Sequence, residues 1–492
     1  MDEVNNGIQK MENGLPTSTV TLDKKVSFLD VIKHRRDRSA VVAIVSALTL
    51  GIMGGAVLPV AWAFSITGII CGVLIMVVVA SANAYTCDLL LKQAYATATY
   101  DYESLCFMIG GRWWKLVTEI SIVILLLGSL VGGTAQVGEV GTIGLTSINS
   151  HLPDWLAGSS GRFLMTLGTL VIVVPLCMGK QLRQLEYAGM VGIAIVLWLT
   201  LTVVIKSSRE NLPAIRNKEF ALVGFTNLGD ITQAVTIFGF AFYAQPIMMP
   251  FLLEVPEGLV GVKIVSYGMR IVVLINAFVI YFLTGFFGAA LYGKATEGNI
   301  LENEWLGGGV AQGMLNLSMA VYLCLAVPAM EFPTRHTING WLPEGFLKHH
   351  PYVRQLLITA AILTFSLGVA LLFPSSSANV LVVTGATGVC MASYLIPIVN
   401  HFLLYFNSSK IQKEAVEELK RITEFEEVNK GKNDELTFTT SIDYTRARLS
   451  TYVMPRRPGI WPMVKNSLKY VVIPTVVLAV GLFCSVAALT TL

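Results

Sequence analysis

Two clusters of helix-breaking residues lie inside apolar runs long enough to cross a bilayer. The first holds Gly51, Gly54, Gly55 and Pro59; the second holds Gly239, Pro246 and Pro250, with Tyr243, Ala244 and Gln245 among them. Proline removes a backbone donor and clashes with the preceding turn. In hydrocarbon a freed N–H or C=O has no water to turn to, so such breaks persist where they face protein, a water-filled cavity or a ligand. A half-helix that begins after a break points unpaired N–H groups and positive dipole at the gap, while one that ends there offers carbonyls. A carboxylate therefore suits the break around Gly51, Met53, Gly54 and Gly55. An ammonium suits the carbonyls near Phe240, Tyr243, Ala244 and Gln245. Together they would hold a zwitterion by main chain alone, with no charged side chain. The bland alternative is that the glycines only let helices pack closely and the prolines only kink them. The matched positions, five spans apart, favour a binding site between two inverted repeats.

Ionisable groups inside a membrane are costly and are functional suspects. Glu139 lies deep in the third apolar run, near Thr134 and Gln136, where it could relay a proton or simply face a wet vestibule. Glu331 and Arg335, four residues apart, are spaced for an ion pair on one helix face, which reads as an inner gate or a structural tie. Ser318 could lend one oxygen to a sodium ion. Asp88 is placed to pair with Lys92.

These residues must be positioned by membrane helices. Of 492 residues 54% are hydrophobic and 14% charged, against about 25% charged in a soluble domain. Runs of about 20 apolar residues fall near 39–64, 67–91, 115–147, 162–179, 187–207, 229–253, 267–292, 309–331, 353–373, 378–406 and 468–490. The expected fold is all-α, with about eleven transmembrane helices in a 5+5 inverted repeat, helices one and six broken, and one added C-terminal helix. If the N-terminus is cytoplasmic, all but six of the 35 Lys and Arg residues fall on cytoplasmic segments or their edges, as the positive-inside rule requires; the six are Arg162, Lys206, Arg209, Arg216, Lys218 and Lys294. The chain then divides into a disordered cytoplasmic N-terminus (1–38), a ten-helix core (39–407), a charged cytoplasmic loop (408–466) and an eleventh helix (467–492). Within that loop, 411–428 could form an amphipathic helix. The aromatic stretch 98–114 reads as an interfacial helix. The seven cysteines are scattered, without a CxxC pair, and read as small buried hydrophobes.

Three motifs give these elements a family likeness. Phe240-Ala241-Phe242 followed by Pro246, Pro250 and Glu254 resembles the Phe-Ala-Phe-x-x-His-Pro-x-x-x-Pro-x-x-x-Glu pattern of the amino acid/auxin permeases, with Gln245 where many members have His. Pro328 with Phe332-Pro333-Thr334-Arg335 resembles their Pro-x-x-x-Phe-Pro-x-Arg. Leu58-Pro59-Val60-Ala61 resembles their Leu-Pro-x-Ala; of the two glycines many members carry before that proline, Gly54 is present and Ile52 replaces the other. The resemblance implies a LeuT-type fold and amino-acid symport driven by protons or sodium with alternating access.

The expected function is thus secondary transport of amino acids, in the plasma membrane or a vacuolar or lysosomal one. The open alternatives are an amino-acid sensor or receptor on a transporter fold and a carrier of another small organic solute. No enzyme activity is expected, because no paired catalytic set is present, and no ATP-driven pump, because no Gly-x-x-x-x-Gly-Lys-Ser/Thr loop exists. The expected partners are a small amino acid and the lipid bilayer, with no nucleic acid and no cofactor beyond a possible coupling Na+ or H+. The sequence names no protein partner.

Overall fold

The computed structural model describes residues 35–406 and 468–491, apart from 150, 152, 154, 157, 180–185, 226, 256–258, 344, 348 and 373–376. The N-terminal stretch, the charged loop with its amphipathic segment and most of the Lys180–Tyr187 connection therefore lie outside the described residues.

Among the described residues the chain is helical, without strands. Eleven helices are long and apolar enough to cross a membrane: Ser39–Val57, Ile69–Thr97, Tyr102–Ile148, Gly158–Cys177, Glu186–Arg209, Leu228–Leu253, Val260–Ala295, Gly309–Trp341, Pro351–Leu372, Ser377–Phe406 and Tyr470–Thr490. They are called the first to the eleventh span. Leu74, Val78, Val171 and Ile172 are more than half exposed. Apolar side chains in that number face lipid in a membrane protein, since a soluble surface avoids such contiguous exposure.

The third span is longer than its apolar run. It starts at Tyr102, where Asp101 caps the helix by accepting from the Ser104 N–H at 3.1 Å. The expected interfacial helix is its first limb, joined to the rest through Gly111 at φ 77° and ψ −168°, a conformation that favours glycine. The third and eighth spans pack closely through small residues. A Cβ on Gly144 would lie 3.0 Å from the Leu317 side chain and 3.2 Å from the Gly313 carbonyl, so the two backbones nearly touch.

Two sets of contacts sort the loops onto two faces. At the face where the first span begins, His336 lies 3.8 Å from Asp101, Trp341 donates to Glu119 at 3.0 Å and Arg335 donates to the Cys177 carbonyl at 2.6 Å. At the opposite face the Ile300 N–H donates to the Leu58 carbonyl at 3.2 Å and the Gly224 N–H to that of Thr67 at 2.9 Å. Asp88, read as a partner of Lys92, accepts from Arg270 at 2.5 Å and from Ser266 at 2.8 Å; the tie crosses from the second span to the seventh, a pairing that spacing within one helix cannot show.

Candidate functional site

The first and sixth spans are both interrupted, where glycine and proline are densest. In the first, the helix Arg35–Met53 gives way to a 3-10 turn at Gly54–Val57 and resumes as Val60–Thr67. Gly54 has φ +37°. Pro59 has no N–H, so the Gly55 carbonyl loses its helical donor. Two donors replace it: the Leu58 N–H of the 3-10 turn at 3.3 Å and, from the third span, Gln136 Nε2 at 3.0 Å. The other amide atom, Gln136 Oε1, is buried without a partner.

In the sixth span the helix Leu228–Phe242 ends in Tyr243, which is extended at φ −65° and ψ 138°, and Ala244. Pro246 removes the donor that the Phe242 carbonyl would otherwise have. The chain then continues as the short helical turns Gln245–Met248 and Met249–Leu253. Side chains from neighbouring spans satisfy the loosened backbone. Tyr281 OH donates to the Ala241 carbonyl at 2.9 Å. Tyr243 OH donates to Ser129 Oγ at 3.0 Å. The Ala244 N–H donates to Gln245 Oε1 at 3.0 Å, and Gln245 Nε2 donates to Thr86 Oγ1 at 2.9 Å. Gln245 Nε2 also reaches the Ser393 carbonyl of the tenth span at 3.5 Å; Tyr281 and Ser393 both sit on π-helical turns, Asn276–Tyr281 and Gly385–Leu395, a distortion common at functional sites.

The two breaks meet. A Cβ on Gly51 would lie 3.3 Å from Ile247 of the sixth span and 2.9 Å from Ala329 of the eighth. Met53, Gly54, Gly55, Phe240, Tyr243, Ala244 and Gln245 are all buried. With Gly51, these are the eight residues chosen from the sequence, four on each interrupted span. Their roles differ. Gly51 is helical and packs tightly, Gly54 and Gly55 carry the irregular backbone, and the Gln245 amide is engaged with the second span and its own chain.

The other four candidates lie elsewhere. Glu139 Oε2 accepts from Ser377 at 2.8 Å and from Asn299 at 3.2 Å, which ties the third span to the tenth and to the loop over the first break. Ser318 donates one turn back to the Leu315 carbonyl at 2.7 Å. Glu331 and Arg335 form the expected ion pair at 3.3 Å, with side-chain exposures of 0% and 10%. Thr359 donates to Glu331 at 2.7 Å, and Arg335 also donates to the Cys177 and Gly179 carbonyls.

Gln136, Ser129, Thr86 and Asn83, whose Oδ1 accepts from Gln245 Nε2 at 3.5 Å, were not singled out from the sequence as partners of the breaks. The available signal was a polar side chain inside an apolar run. It is weak, because Ser and Thr there mostly bond their own helix, as Thr134 does to Leu130.

Two expectations follow. Gln136→Ala leaves the Gly55 carbonyl with only the long Leu58 N–H bond at 3.3 Å, and loss of one hydrogen bond costs about 0.5–1.5 kcal/mol. A lowered thermal unfolding midpoint of the purified protein is expected; an unchanged one would show that this carbonyl does not depend on Gln136. The second concerns Glu302, in the loop over the first break. The residue as a whole is exposed, yet partial burial of its carboxyl, then the Glu139 and Glu297 charges, push it up to about 7 against the pull of Arg162. The folded state thus keeps a proton that the unfolded chain gives up in the ordinary carboxylate range. Stability from this group falls as pH rises through that range to about 7, then stays low. Between roughly pH 5 and pH 8 the wild-type midpoint should therefore drop more than that of Glu302→Gln. Equal drops would acquit Glu302.

Residues 37–425 match the family model described as transmembrane amino acid transporter protein. The sodium-coupled neutral amino acid symporter 2 of Danio rerio is 24% identical over 406 residues, 77% of each chain. Solute carrier family 38 member 10 of Homo sapiens is 23% identical over 384 residues, which cover 76% of this chain and 32% of that one; the Rattus norvegicus protein of the same name is 24% identical over 377 residues, covering 75% and 33%. The chain spans about a third of the length of these last two relatives. The family match covers most of the sequence and contains both breaks, the residues that brace them and the Glu331–Arg335 pair, and on it the chain belongs to the transmembrane amino acid transporter family, whose motifs its own resemble.

Proposed function

We propose that this protein is a secondary active transporter that carries amino acids by symport with sodium or protons. In this reading the core is a LeuT-type pair of inverted five-helix repeats, and the first and sixth spans bind the substrate where they break. The observation that carries it is the meeting of two interrupted spans, five apart in sequence, at Gly51 and Ile247, with their loosened main chain buried. Such discontinuous helices hold charged groups by dipoles and carbonyls without a fixed counter-charge. The carboxylate docks at Gly54 and Gly55, and the ammonium at the carbonyls that Pro246 leaves without helical donors. Sodium is the favoured driving ion, because the Danio rerio relative is named as sodium-coupled. The loop that donates from Ile300 to Leu58 closes the site at one face. The Glu331–Arg335 tie closes it at the other, which the charge asymmetry assigns to the cytoplasm.

Purified protein in liposomes, given an inward sodium or pH gradient and labelled neutral amino acids, should concentrate at least one of them, and more strongly under one gradient. Saturable binding without flux under either gradient would overturn transport and leave a sensor.

A further inference from the structure

We propose that a basic cavity between the eighth and ninth spans, away from the two breaks, binds a phosphate group. The cavity measures about 420 Å³ and opens near the face where the first span begins. Phe332, Arg335, His336 and Asn339 line it from the eighth span, and Arg354 and Gln355 from the ninth, and among the described residues no carboxylate lines it.

The decisive group is Arg354. Its Nη2 donates to the Asn339 carbonyl at 3.1 Å, which fixes the guanidinium against the cavity wall. Its Nε is shut off from solvent and has no partner. Among the described residues Arg354 has no carboxylate within ion-pair distance. A guanidinium is always charged and presents five donors in a flat fork, so one left half-buried with a spare donor and no counter-charge calls for an anion. The nearby carboxylates have other partners. Glu331 is taken by Arg335 at 3.3 Å, Asp101 lies 3.8 Å from His336 and accepts from Ser104, and Glu103, in the same cluster as His336, accepts from Thr337. The ninth span begins at Pro351, which also lines the cavity, so the positive end of a 22-residue helix adds to the field.

Phosphate fits this set better than a carboxylate does. Its oxygens can accept from the Arg354 fork and from His336 at the same time, and Arg is the residue suited to such bidentate contact. The group could come from a lipid headgroup or from a soluble phosphate. The neighbourhood favours lipid: Ile358 lines both this cavity and an apolar groove of about 460 Å³ that runs past Leu342, Leu357 and Phe365, a seat for an acyl chain.

The test uses the full chain in detergent with three probes: dioctanoyl phosphatidic acid, dioctanoylglycerol and inorganic phosphate at fixed ionic strength. Phosphatidic acid is expected to raise the unfolding midpoint saturably, while dioctanoylglycerol, with the same chains and no phosphate, does not. Arg354→Gln should weaken phosphatidic acid about tenfold or more, and His336→Gln less. If Arg354→Gln does not fold, His336→Gln, at an exposed side chain, decides. Inorganic phosphate competing at similar concentration assigns the site to soluble phosphates; failure to compete assigns it to the lipid of that leaflet. Equal binding of dioctanoylglycerol and phosphatidic acid, or wild-type affinity in the folded variant, would overturn the proposal. Neither outcome bears on amino-acid uptake, since no break residue is altered.

Discussion

Gly55→Val is expected to reach the membrane and carry no substrate. A Cβ at this position would land on the Gln136 carboxamide, inside bonding distance of Oε1. The amide must therefore leave the Gly55 carbonyl that it now serves at 3.0 Å. Overpacking of this kind costs about 1–3 kcal/mol of stability, and the bulk stands where the carboxylate is proposed to dock. The Gly54 neighbour fails for a different reason. Its φ of +37° is a conformation that side chains rarely adopt, and a Cβ there would also lie 2.6 Å from Met330 Cε. The two causes separate by pairing variants. In a Gln136→Ala background, adding Gly55→Ala should cost nothing further, because the obstructing amide is gone. In a Met330→Ala background, Gly54→Ala should still be impaired, because backbone strain does not depend on the neighbour. Wild-type uptake by Gly55→Val would remove the first break from the binding site.

Glu331→Ala is expected to lose the protein before it loses the activity. Glu331 is fully buried and pairs with Arg335 at 3.3 Å. Removing one partner of a buried pair costs about 3–5 kcal/mol, because the other charge is left uncompensated. Arg335 would keep its bonds to the Cys177 and Gly179 carbonyls but would have lost its counter-charge. The steady-state amount in the membrane and the unfolding midpoint should both fall sharply. The double variant Glu331→Met with Arg335→Met distinguishes a tie from a gate, since replacing a whole buried pair by apolar residues is often neutral. Recovered stability with recovered uptake would reduce the pair to a structural tie. Recovered stability without uptake makes the pair a working part of the transport cycle. A stable Glu331→Ala would contradict the burial on which this reasoning stands.

The sequence alone determined the elements and the places where they fail. Apolar runs of fixed length follow from bilayer thickness, and eleven such helices are present among the described residues. Pro59 and Pro246 mark the breaks where a missing N–H falls beside residues that leave the helical conformation; Pro175, Pro328 and Pro333 stay inside continuous helices, so proline alone does not set a break. The Glu331–Arg335 pair was legible because an i, i+4 spacing is set within one helix. What the tertiary structure decided is which distant side chains serve the loosened backbone. Gln136 comes to Gly55 from 81 residues away, and Thr86 to Gln245 from 159. No local rule encodes those meetings, because they depend on the packing of whole spans. The structure also gave Glu139 its partners in Ser377 and Asn299 and turned the Ser318 hydroxyl onto its own helix at the Leu315 carbonyl. A buried polar residue announces that it needs a partner, and only the packed helices say which one it has.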